Sequence, residues 1–127
     1  MTTAESPRVL TDTRDAVDPA ARGAVWKLDA TERDLDANLI ALPPGVGIAA
    51  HEGPDLDVLV HVVAGSGRLD TADTSIGLAP GGLVWLPRRS VRGFSAGPDG
   101  LRYLTVHRRR QAPSLIPTIR MDDRSPS

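Results

Sequence analysis

The stretch Asp57-Val-Leu-Val-His-Val-Val-Ala-Gly-Ser-Gly67 decides the fold class. Val58, Val60 and Val62 fall on one side of an extended chain, and Leu59, His61 and Val63 on the other, which is the period of two that a strand imposes. The run closes on Gly65-Ser-Gly67, which reads as a hairpin turn, because glycine supplies the positive φ that such turns need. Outward from it the same pattern recurs. Short apolar runs stand at Ala24-Val-Trp-Lys-Leu28, Asn38-Leu-Ile-Ala-Leu42, Gly67 to Thr71, Ser75 to Leu78, Leu83 to Leu86, Val91 to Ser95 and Leu101 to His107. Pro43-Pro-Gly45, Pro80-Gly-Gly82 and Ala96-Gly-Pro-Asp-Gly100 separate them with turn chemistry. Many short strands at close spacing predict an all-β sandwich or barrel. The one helical candidate, Asp29 to Asp36 with Thr31 as its cap, is too short and polar to alter that class.

The flanks differ from this centre. Residues 1–22 have no sustained periodicity and read as an arm, residues 23–110 form the barrel, and residues 111–127 read as a tail punctuated by Pro113, Pro117 and Pro126. Leu115, Ile116 and Ile119 give the tail an apolar half suited to docking, for instance on a neighbouring subunit. With 127 residues, 40% of them hydrophobic, the chain is sized for one core. No apolar run approaches the ~18 residues of a membrane helix, and the first residues lack a basic and an apolar leader region, so no membrane partner and a cytoplasmic location are expected. The absence of cysteine removes disulfides, thiolate metal sites and cysteine nucleophiles together.

The net charge of −1 conceals a split. Residues 1–60 carry 11 acidic and 5 basic side chains, and residues 61–127 carry 5 and 10. Folding interleaves the halves, so this does not mark a nucleic-acid face. The run His107-Arg-Arg-Arg-Gln111 reads as a solvated edge, since no aromatic residues interleave it, and no nucleic-acid partner is expected. Fourteen arginines against one lysine fit a GC-rich genome.

The order of turns and strands over residues 43–107 resembles the cupin superfamily, whose small jelly-roll barrels carry two motifs. In the first, a glycine is followed after five residues by His-x-His, a glutamate, a strand and a closing glycine. Gly45, His51, Val58–Val63 and Gly65-Ser-Gly67 follow that order. In the second, a Pro-Gly turn leads to a strand ending in proline and then a histidine; Pro80-Gly-Gly82, Leu83–Pro87 and Arg92 follow it here. The resemblance implies a jelly-roll barrel of two antiparallel sheets, a site inside it and a homodimer. It also implies a divalent metal on three histidines and a glutamate, and here the chain departs. His51 fills the first slot, Gly53 the second, Val58 or Asp57 the glutamate slot, and Arg92 the last. A guanidinium stays charged and repels a divalent cation, so no cofactor is expected, with an unusual metal set as the minority alternative.

Arg92 is therefore the most informative residue. In the resemblance its slot faces the cavity, and Phe94 shares its face by alternation. A cation there needs a carboxylate, either Asp55 or Asp57 from the chain or one from a small molecule gripped with the help of Arg88 or Arg89. Arg88 and Arg89 otherwise read as two solvated turn charges. His51 is a candidate base, hydrogen-bond donor or ligand, or a partner of Asp55 or Asp57 within its own loop. Parity turns His61 outward if the valines line the barrel, and His107 reads as exposed beside its arginines. Trp85 and Tyr103 are core filler or pocket wall. The resulting expectation is a barrel that binds a small anionic molecule through His51, Asp57, Arg92 and Phe94, with Trp85 and Tyr103. The alternatives are an enzyme, either metal-dependent or using His51 in metal-free acid–base catalysis, and a plugged barrel acting through its surface.

Overall fold

In the computed structural model, which describes residues 6–15 and 18–110, the chain is all-β. Seven strands follow one another: β1 (Gly23–Lys27), β2 (Leu35–Leu42), β3 (Gly47–Glu52), β4 (Val58–Asp70), β5 (Ser75–Leu78), β6 (Leu83–Leu86) and β7 (Val91–Arg108). Leu115, Ile116 and Ile119 lie outside the described residues.

Two long strands organise everything else. The first part of β4 pairs with β6 and with the second half of β7, whereas its last residues, Gly67–Asp70, pair with β5 and with the first half of β7. Strand β2 adds to the second half of β7 and β3 to the first, all antiparallel, and β1 completes the larger side. One continuous ladder thus folds over into two facing layers, β1-β2-β7-β4-β6 and β3-β7-β4-β5, which is the jelly-roll plan.

The folds in β4 and β7 fall where the sequence suggested turns, and this is a correction. Gly65-Ser-Gly67 does not reverse the chain. It is a corner inside β4, with register shifts between Val62 and Ala64 and between Gly65 and Gly67. Gly65 and Gly100 both take positive φ (81° and 79°), and a Cβ on Gly65 would strike the Gly100 carbonyl. Glycine is needed there so that two backbones can cross closely as they change layers. Strand β3 is not foreshadowed in the residues: Gly-Ile-Ala-Ala-His-Glu has no apolar alternation, and the strand is exposed along its length, with a bulge between Ile48 and His51. Between Asp29 and Asp36 there is no helix; the chain bends and enters β2.

Between the layers Leu42, Val58, Val60, Val62, Leu69, Leu86, Leu101 and their neighbours form one core, as the valine alternation predicted. Phe94 from the smaller layer stacks on Tyr103 from the larger, with ring centroids 4.5 Å apart and planes 12° from parallel. That pair fills the barrel's depth.

Candidate functional site

Strand β7 carries the inward row Ala96, Phe94, Arg92, so the register that buries the phenyl ring also drives an arginine into the interior. Two loops close over it. Gly53 N–H donates to the Ser90 carbonyl (3.0 Å) and Arg89 N–H to the Pro54 carbonyl (2.8 Å), zipping residues 53–57 to residues 87–90. Arg89 adopts φ of 65° in that tight connection. Arg92 lies beneath, only 5% exposed. Its Nη2 donates to the Pro87 carbonyl (3.0 Å) and to Ser90 Oγ (2.8 Å), and Ser90 Oγ itself donates to Pro87 (2.7 Å). Its Nε is buried with no partner among the described residues.

The guanidinium rests against Gly53, where a Cβ would overlap its Cζ and Nη1. Gly53 stands in the second histidine slot of the motif, so the head of Arg92 occupies the space a side chain there would take. Desolvation pushes its pKa down from the ordinary arginine value, yet an arginine remains a cation in a protein.

Among the described residues no carboxylate pairs with it. Asp55 is held by Arg89, whose Nε donates to Oδ1 at 3.2 Å and whose Nη2 stands 3.2 Å from Oδ2. Asp57 Oδ1 accepts the Arg88 backbone N–H at 3.0 Å, with Arg88 Nε 3.5 Å away. Both carboxyls are held below their usual range, Asp55 chiefly by the Arg89 side chain and Asp57 chiefly by the Arg88 N–H. The expected internal pairing of Arg92 with either acid is therefore overturned, because the rim arginines reach those acids first. Arg88 and Arg89 are likewise ion-paired rather than simply solvated.

The other sequence candidates scatter. His51 is the register partner of Arg92, but its edge strand is exposed and its Nδ1 is engaged with the Ala49 carbonyl (2.9 Å), so it faces the rim. Val58, buried in the core, fills the glutamate slot and leaves Asp57 outside it. Phe94 and Tyr103 face the interior as core, with burial pushing the Tyr103 phenol up. Trp85 is not a pocket wall. It sits 57% exposed on the outer face, because its neighbour Leu86 takes the inward position. His61 faces outward, as parity required.

His107 differs from expectation: it is half-buried, and the register places it in the inward row Leu86–Val58–His107–Asp36. The next row is Val84–Val60–Thr105–Asn38. Four apolar residues on β6 and β4 thus give way to His107, Asp36, Thr105 and Asn38 on β7 and β2. Asp36 is neutralised by Arg33 (Nη2 to Oδ1, 2.8 Å). Pro87, whose carbonyl accepts from Arg92, follows Leu86 directly, and Leu86 lies in the same inward row as His107, two strands away. Counting by two from Tyr103 was the signal that would have found Thr105 and His107 in the sequence.

The metal that the cupin resemblance implies does not fit this donor set. Gly53 supplies no ligand, Val58 is apolar, the Arg92 cation occupies the centre, and among the described residues no three acidic or histidine side chains converge. Two recesses of ≈ 370 and ≈ 330 Å³ lie elsewhere. In the first, Arg68 and Ser75 are already bonded to Asp70; in the second, Arg102 Nη1 donates to the Asp15 carbonyl.

Comparison with known proteins agrees with this architecture. No protein-family model matches the sequence, and neither does any curated protein. A Klebsiella pneumoniae protein with a double-stranded β-helix domain superposes with TM-score 0.63 at 18% identity, covering 80% of this chain and 90% of its own. A cupin protein from Bacteroides fragilis gives TM-score 0.61 at 15% identity, covering 88% and 99%. The Schizosaccharomyces pombe Cnp3 cupin domain gives 0.59 at 15% identity over 65% of this chain, which spans 58% of that domain's chain. The fold is that of the cupin superfamily. Other proteins sharing it include the DMSP lyase DddQ of Ruegeria pomeroyi and an 11S globulin of Wrightia tinctoria, so the fold does not choose between reaction and binding.

Proposed function

We propose that the protein binds a small anion, carboxylate or phosphate, at the mouth of its barrel, with Arg92 as the fixed cation. One observation carries this: an arginine only 5% exposed that, among the described residues, has no acidic partner and an orphaned Nε. An isolated buried charge costs several kcal/mol, and a chain retains one where something else repays the cost. A bound anion does so. Because Nη2 already serves Pro87 and Ser90, the anion takes its hydrogen bonds from Nε and Nη1 unless Ser90 yields its place. Thr105, Asn38 and His107 offer polar contacts to the rest of the molecule across the mouth.

A second reading, the plugged barrel, is favoured by the Phe94–Tyr103 stack that fills the depth. Thermal unfolding with a panel of acetate, succinate, citrate and inorganic phosphate separates the two. Binding at a hundredfold excess over Kd adds about 2.7 kcal/mol, a rise on the order of 10 °C for a domain of this size. The anion reading requires such a rise in the wild type and its loss in Arg92→Met. A panel that leaves the wild type unmoved, or moves Arg92→Met equally, leaves the plugged barrel.

A further inference from the structure

Strand β3 devotes a bulge to one side chain. Ile48 stands opposite Phe94 and His51 opposite Arg92, three residues along β3 against two along β7. In a regular strand residues three apart face opposite ways, so His51 would turn away from the barrel. The extra residue cancels one alternation and sets His51 on the face of Ile48, Phe94 and Arg92, which is how a bulge re-aims a side chain. Gly93 lies across from the bulge, where a Cβ would come within 2.7 Å of the Ala50 nitrogen and 2.9 Å of the Ile48 carbonyl oxygen. A side chain at 93 would press the bulge outward, so residues of two strands cooperate in aiming one imidazole.

The bulge also fixes the ring. His51 Nδ1 stands 2.9 Å from the Ala49 carbonyl oxygen. A carbonyl only accepts, so Nδ1 carries the hydrogen and, in the neutral ring, Nε2 keeps its lone pair. Among the described residues Nε2 has no partner. Arg92 starts directly across the ladder, about 5 Å away between Cβ atoms for such a pair, and its head lies against Gly53, two residues along from His51. A buried cation with an unmet donor and an imidazole with an unmet acceptor are therefore neighbours.

We infer, resting on the anion reading above, that the ligand is a 2-hydroxy carboxylate, with its carboxylate on Arg92 and its hydroxyl donating to His51 Nε2. Because the two protein groups adjoin, the acid and its donor sit on adjacent carbons. The donor is a hydroxyl and not an ammonium, since an ammonium would bring a second positive charge beside a guanidinium that has no acidic partner among the described residues. A plain carboxylate or a phosphate satisfies Arg92 and leaves Nε2 unmet.

Proton NMR titration of the full chain with glycolate, acetate and glycine tests this, because the three differ only in what the second carbon carries. The wild type binds glycolate about three- to tenfold tighter than acetate, the worth of one added hydrogen bond, and glycine weakest of the three. The His51 ring signals, identified by their loss in His51→Leu, move on adding glycolate. In His51→Leu the glycolate-to-acetate ratio falls to about one, whereas His61→Leu, on the outer face of β4, keeps the wild-type ratio. Equal affinities of the wild type for glycolate and acetate overturn the inference and leave the anion reading standing, as does a preference that survives in His51→Leu. A wild type that binds none of the acids, or binds them as well after Arg92→Met, overturns the anion reading and the inference together.

Discussion

The depth of the barrel and its mouth are built from the same two strands and obey opposite rules. In the depth the inward side chains pack into one core, from Val60 and Val62 to the stacked Phe94 and Tyr103. Two residues farther along β7 the inward side chain is Arg92, with a hydrogen-bond donor left unmet. The rim sharpens the contrast, since its arginines are exposed and each has an acid at hand. Neutralisation is thus supplied where water would have sufficed and withheld where it is needed. A chain selected only for stability would do the reverse, and departures of this kind mark a site whose missing component arrives from outside.

Substitutions can break that contrast in order of size. Tyr103→Ala removes the stacked pair and is expected to cost about 3–5 kcal/mol in chemical denaturation, confirming that the depth is structural. Gly53→Val places a side chain inside the guanidinium's space and is expected to cost roughly 1–3 kcal/mol by overpacking, with the anion response lost as well. Arg92→Met does the opposite to stability, raising it by about 1 kcal/mol in buffer free of anions while abolishing the anion response. If Arg92→Met is destabilising, the arginine belongs to the architecture and the mouth is no different from the depth. The smallest effect falls on the rim. Asp57 has a depressed pKa in the folded protein, so the unfolded chain binds its proton first, and its contribution is present above the ordinary carboxylate pKa and lost as pH falls through the folded value. Asp57→Asn is expected to flatten the acid side of the stability–pH curve and leave the neutral melting temperature nearly unchanged.

Much of this architecture was legible in the residues, for reasons that also explain what was not. Val58, Val60 and Val62 alternate with residues that water can reach, and the structure buries that face. Gly65-Ser-Gly67 misled because a corner and a hairpin need the same glycine; only the partner strand tells them apart. Trp85 could not be oriented, since Val84 and Leu86 on either side are equally apolar and period two has no contrast to act on. The isolation of Arg92 was hidden for another reason. Asp55 and Asp57 are close enough in sequence to serve it, and only the folded turn shows Arg88 and Arg89 intercepting them. Thr105 and His107, by contrast, were readable by counting from Tyr103.

The bare contact between Gly53 and the guanidinium has a practical side. Positions 53 and 92 are coupled: a side chain at 53 would meet the arginine head and displace it from its present place. In a library that varies both sites, the effect of a change at one is expected to depend on the residue at the other, and the two should be randomised as a pair.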